Sequence, residues 1–146
     1  MSTNSLDLTG RVAVVSGGYG VLGASLASGL AAAGARVAIL GRRRDAAEAK
    51  AEEIRATGAE AMVIVADVVD DSEVRAARDE LLRAWGRVDI PINAAGGNVM
   101  RARNDTRSIL EVPRDAFDEV PRLNPPGTVT PALAFAGPTE RPGPGR

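Results

Sequence analysis

Between Val12 and Ala27 an apolar run gives way to a glycine loop and then to a helical pattern. Gly18, Gly20 and Gly23 in that loop have the spacing G-x-G-x-x-G. Each glycine has a physical reason. The first permits a tight turn off a strand, and the second lets the backbone approach a pyrophosphate with no Cβ in the way. The third lets the new helix pack closely on the strand, its positive end aimed at the phosphates. A side chain at Gly18 is accordingly expected to fill the space of the pyrophosphate. Glycine-rich turns are common, so the triplet alone says little. With a strand pattern before it and a helix pattern after it, the dinucleotide reading is stronger than that of a plain turn.

The first ninety residues continue this alternation. Short apolar runs at 11–16, 36–40, 61–66 and 88–93 read as strands, the first of them fully apolar and β-branched as a parallel strand covered on both faces would be. Helical patterns lie between them at 21–34, 45–57 and 70–85, two of them closed by Gly34 and Gly58. Asp70 and Glu73 have capping-box spacing at the start of the third helix. Strands separated by helices of this length imply right-handed crossovers and a parallel sheet ordered 3-2-1-4.

The chain then changes character. All nine prolines fall from Pro91 onward. Pro113 suits the first residue of a helix over 114–120, Pro121 is expected to interrupt it, and Pro125-Pro126 to stop any continuation. This divides the 146 residues into an arm (1–7), a folded unit (8–120) and a Pro/Gly-rich, disordered segment (121–146).

Composition excludes several chemistries. Cysteine and histidine are both absent, which removes disulfides, thiolate nucleophiles, His bases and most zinc sites. A net charge of -1 offers nothing to nucleic acid or to an anionic membrane. The first residues lack a basic-then-apolar leader pattern, so a soluble cytoplasmic protein is expected.

Four segments resemble the short-chain dehydrogenase/reductase family. Ser16-Gly17-Gly18-Tyr19-Gly20-Val21-Leu22-Gly23 resembles its phosphate loop, T-G-x-x-x-G-x-G. Ala66-Asp67-Val68 resembles the strand-end aspartate segment that touches adenine, and Asn93-Ala94-Ala95-Gly96 the N-A-A-G turn beneath the cofactor. Leu123-Asn124-Pro125-Pro126-Gly127 resembles the N-x-x-G segment whose asparagine joins the catalytic group. Gly96-Gly97-Asn98 and the Gly20–Gly23 loop resemble the fructuronate/mannonate-type branch.

The resemblance implies an α/β, Rossmann-type doubly wound sheet, truncated to about four strands. It also implies an oxidoreductase that transfers hydride between NAD(P)(H) and an alcohol or carbonyl. The cofactor-binding candidates are Ser16, Gly17, Gly18, Gly20, Leu22, Gly23, Arg42, Asp67, Val68, Asn93, Ala94 and Gly96, and the catalytic candidate is Asn124. Asp67 and Asn93 also fit as plain turn residues, and Asn124 as an inert one. Arg42-Arg43-Arg44 fit a solvated turn. They follow Gly41, however, where an acid would bind the ribose of NAD, and this arrangement accommodates the 2′-phosphate of NADP.

The departures are specific. Val21 replaces a loop glycine, and Pro91 falls inside the fourth strand, where proline is tolerated only at an edge. The family's proton-transfer pair, Tyr-x-x-x-Lys, is absent: the one tyrosine is Tyr19, in the phosphate loop, and the one lysine is Lys50. Its substrate-side serine is absent as well. Without a tuned proton donor the acid/base step loses about 10²–10⁴-fold, so the chain alone is expected to bind cofactor and catalyse little. The alternatives are a non-enzymatic nucleotide-binding or interaction module that self-associates through the open edge of the fourth strand, or a truncated or degraded gene product.

Overall fold

The computed structural model describes residues 6–97, 108–111 and 113–139. Four strands, β1 (Val12–Ser16), β2 (Arg36–Gly41), β3 (Ala61–Val65) and β4 (Ile90–Asn93), form one sheet in the order β3-β2-β1-β4. All pairings are parallel, with Val12 opposite Arg36, Val37 opposite Ala61 and Ala13 opposite Ile90. The expected sheet is present.

Every residue of β1 is buried, as a central strand covered on both faces requires. Its alternate residues feed two apolar layers. Ala13 and Val15 join Val37 and Ile39 beneath helices α1 (Val21–Ala32) and α2 (Arg44–Arg55), where Ala27, Ala47, Ala51 and Ile54 complete one core. Val12 and Val14 join Ala38, Leu40 and Ile64 on the opposite face, under α3 (Asp71–Trp85) and α4 (Ala116–Thr139). The alanines of α1 and α2 bring both helices close to the sheet.

Local chemistry sets the ends of these elements. Asp70 caps α3, its carboxylate accepting the Ser72 and Glu73 N–H groups at 2.9 and 3.0 Å. Glu73 does not complete the expected reciprocal box; it accepts the N–H of Asp67 at 2.7 Å, fixing the turn after β3 instead. Gly86 ends α3 at φ 75°, in the left-handed region where glycine carries no Cβ penalty. At the amino ends of β1 and β4, Asp89 clamps the two strands together. It accepts the Val12 N–H at 2.9 Å and the Arg11 guanidinium at 3.1 Å, and takes two hydrogen bonds from Arg87.

Pro91 pairs opposite Val14, and β4 has no strand on its outer side among the described residues. It therefore occupies the edge position that a strand proline needs.

The proline-rich segment departs from expectation. Rather than ending at Pro121, α4 runs unbroken from Ala116 to Thr139 through Pro121, Pro125, Pro126 and Pro131. Gly127, Pro131 and Phe135, four residues apart, form its buried stripe, and Phe135 and Ala134 enter the core beside Val14, Leu40 and Leu81. Helix propensity is a weak preference that tertiary packing overrides. Pro125 and Pro126 leave the carbonyls of Pro121 and Arg122 without helical donors, but both residues are exposed, where solvent can satisfy such acceptors. The tail from 140 lies outside the described residues. No helix among the described residues is long and apolar enough to cross a membrane.

Candidate functional site

The carboxyl ends of β1, β2 and β4 open onto a cleft of about 270 Å³, bounded on one side by α4. Ligands of open α/β sheets bind at such strand ends, where the strand order reverses about β1. Six of the expected residues line it: Gly17, Gly20, Arg42, Val68, Ala94 and Gly96. Tyr19, Gly41, Arg43, Ala66, Ala95 and Leu123 line it as well and were not among the candidates. A larger hollow of about 680 Å³ lies at the far end of the sheet between α1 and α2, around Arg36, Lys50 and Thr57. It contains none of the candidates.

The glycine loop works differently from the reading of its spacing. The tight turn belongs to Gly17, whose φ of 66° is left-handed and whose Cβ would meet Ala95 Cα at 2.8 Å and Ala94 O at 2.9 Å. Gly18 turns inward. A Cβ there would meet Val15 O at 2.9 Å and the Ile39 side chain at 3.2 Å, so a side chain would disturb the core and not fill the pyrophosphate space. Gly23 performs the expected packing role, since a Cβ on it would overlap the Gly17 carbonyl. Gly20 is the open position: it caps α1 in an extended conformation (φ −74°, ψ 169°), and its nearest neighbour to an added Cβ is Gly17 O at 3.4 Å. Val21 begins α1 with its side chain 94% exposed, so the loop accepts valine without strain. Leu22 is exposed on α1 and does not line the cleft.

Ser16 and the N-A-A-G turn form a second loop against the first. Ser16 is buried; its hydroxyl donates to Ile92 O and accepts the Ala95 N–H, both at 3.4 Å. Ser16 thus holds the turn in place and does not line the cleft. Asn93 is exposed at the end of β4 and lies outside the cleft lining.

Asn124 is not inert. Its Oδ1 accepts the Gly97 N–H at 2.9 Å, while its Nδ2 donates to Gly97 O at 3.0 Å and to Val120 O at 2.9 Å. Each amide group is thus engaged by backbone, and an added Cβ on Gly96 would meet Asn124 Oδ1 at 2.5 Å. The side chain fastens α4 to the strand-end turn.

At the end of β2, Arg42 reaches across to Asp67 with Nη1–Oδ2 at 3.6 Å. The guanidinium is 66% exposed and the Asp67 carboxylate half-buried at 29%, so the net worth of the pair is small and Arg42 can exchange partners. Arg43 and Arg44 pair instead with Asp45 and Glu48 at 3.7 and 3.9 Å, along the start of α2. Asp67 also accepts the Val69 N–H at 3.1 Å, and so combines the turn role with a carboxylate beside the cleft. Tyr19 lies over Gly41, its hydroxyl accepting the Arg43 N–H at 3.3 Å. Tyr19 escaped sequence reading because loop periodicity says nothing about where a side chain points; the bare Gly41 opposite an aromatic was the one available signal.

Parallel order 3-2-1-4, helices on both faces and a glycine loop at the strand ends define a Rossmann-type domain. The family model for short chain dehydrogenase matches residues 11–144, and the chain belongs to that family. It is 40% identical over 105 residues to the uncharacterized oxidoreductase UxuB of Bacillus subtilis (strain 168), covering 72% of this chain and 38% of the relative. It is 34% identical over 124 residues to a sorbitol dehydrogenase of Cereibacter sphaeroides, covering 85% and 45%. A crystal structure from Haemophilus influenza, assigned as a D-mannonate oxidoreductase and holding NAD, superposes with a TM-score of 0.82 at 27% identity, covering 92% of this chain and 52% of that one. This neighbour agrees with the fructuronate/mannonate-type resemblance. The chain thus spans about half the length of the solved structure, or less than that of the two curated relatives.

Proposed function

We propose that this chain binds a nicotinamide dinucleotide in the cleft above β1, β2 and β4, preferring NADP(H). It would serve as the cofactor half of an enzyme that moves hydride between that cofactor and an alcohol or carbonyl. The observation that carries this reading is the meeting of the two backbone loops, Gly17–Gly20 and Ala94–Gly96, at strand ends with no Cβ in the approach to Gly20. The dinucleotide would supply the hydride. Its pyrophosphate would lie against the Cβ-free backbone of Gly20 at the N-terminus of α1, and Val68 and Ala66 form an apolar wall suited to adenine. Arg42 can leave Asp67 for a 2′-phosphate, and Gly41 offers no acid to bind a free 2′-hydroxyl.

Proton transfer is a separate matter. Tyr19 lies at the β2 side of the cleft and Lys50 in α2 pairs with Glu53 at 2.8 Å, so neither supplies the family's tyrosine–lysine pair. These 146 residues on their own are therefore expected to bind and not turn over. The purified chain, assayed with NADPH and NADP against a panel of alcohols, ketones and sugar acids, should show no rate above background. Turnover of even about 1 s⁻¹, within the ordinary enzymatic range, would refute this and require another proton donor.

A further inference from the structure

The end of β2 has a side chain over it that does not belong to it. A Cβ added to Gly41 would overlap Tyr19 Cε1 and lie 2.9 Å from the Tyr19 hydroxyl oxygen and 3.0 Å from Cζ. The ring therefore occupies the volume into which any residue at 41 would project, and both residues line the cleft. The Tyr19 hydroxyl accepts the Arg43 N–H at 3.3 Å. A phenol that accepts from one side keeps its own proton for an acceptor on the other. The exposed guanidinium of Arg42, donor-only and cationic, lines the same cleft.

We propose that Tyr19 is a specificity-determining residue that stands in for the side chain missing at Gly41, donating with Arg42 to an acceptor-only group on the ribose, a phosphate monoester. This rests on the reading of the cleft as a dinucleotide site and adds to it. A hydroxyl group needs an acceptor for its own proton, and an acid at 41 would provide one. Arg42 provides donors only, and the Tyr19 oxygen already accepts the Arg43 N–H, which leaves its proton to donate; together they suit a phosphate. Tyr19 and Gly41 are then one unit: the glycine is required by the ring, and the ring replaces the lost side chain.

Two measurements test this. The first needs no ligand. Thermal midpoints of Gly41→Ala, Tyr19→Ala and the double variant should be non-additive, the single Gly41→Ala being markedly lowered and the double variant recovering most of the loss. Additive midpoints would show that the two side chains do not share a volume and would overturn the pairing. The second is calorimetric titration of the parent and of Tyr19→Phe with NADPH and with NADH. Loss of the hydroxyl should weaken NADPH by about tenfold, as for a hydrogen bond to a charged group, and leave NADH nearly unchanged. A parent that binds while Tyr19→Phe keeps both affinities refutes the role of Tyr19 alone. A parent that binds neither cofactor refutes the dinucleotide site, and this proposal with it.

Discussion

Arg42 and Asp89 show how differently two charged residues act in this chain. Arg42 is exposed and weakly held, so its removal should leave the fold intact. Arg42→Ala is expected to weaken NADPH by about 1.5–3 kcal/mol, the worth of a hydrogen bond to a charged group, and NADH by much less. Comparison of the two dissociation constants by calorimetry checks this, and equal losses would return Arg42–Arg44 to the role of a solvated turn.

The side chain of Asp89 is only 10% exposed, and burial alone would raise its pKa. The hydrogen bonds from Arg87, the Val12 N–H and Arg11, with the charge of Arg87, outweigh that and hold it below the ordinary carboxylate value. With its native pKa below its unfolded one, Asp89 contributes stability above the unfolded value and loses it as pH falls through the native value. Asp89→Ala should cost about 1–3 kcal/mol at neutral pH, because the Val12 N–H is left unsatisfied. The parent should lose more of its thermal midpoint than the variant between neutral pH and acid. An equal slope in both would show that Asp89 is not the group lost.

The helices and strands of residues 12–93 were legible because local and tertiary signals agree there. Apolar runs became the four strands, buried in β1 and β2 and mostly half-buried in the edge strands β3 and β4, and Gly34, Gly58 and Gly86 lie at positive φ close to the helix ends. α4 was not legible. Its prolines oppose helix locally, while the stripe of Gly127, Pro131 and Phe135 that stabilises it exists only against the sheet. The site divides the same way. Residue types in the loop could be read from their spacing, but the direction of Gly18, the clamp made by Asn124 and the position of Tyr19 depend on contacts between distant segments. If packing holds α4, Phe135→Ala should destabilise the chain by about 3–5 kcal/mol. Pro121→Ala and Pro125→Ala, at exposed positions, should raise its stability and its helical circular dichroism. Limited proteolysis should then spare the chain through Phe135. Early cleavage near Pro121, with no loss on Phe135→Ala, would mean that the segment is not packed.

At the scale of the molecule, the sheet has two ends with different tasks. Trp85 stacks under Arg36, 5.2 Å from guanidinium carbon to ring centroid, at the end remote from the glycine loop. Heat of binding is for that reason a more direct probe of the cleft than tryptophan emission. The outer side of β4 carries no strand among the described residues, and an unpaired parallel edge is a template for another chain. We therefore expect self-association that grows with concentration in light scattering, whereas a monomer throughout would mean that the edge is covered. A dinucleotide held between the two backbone loops should be detected by calorimetric titration of NADPH into the parent and into Gly20→Leu, a substitution the backbone at Gly20 accepts but which fills the approach to the cleft. Saturable one-site binding in the parent, lost in Gly20→Leu at an unchanged thermal midpoint, is the predicted result. Binding that survives Gly20→Leu, or is missing from the parent, would contradict it.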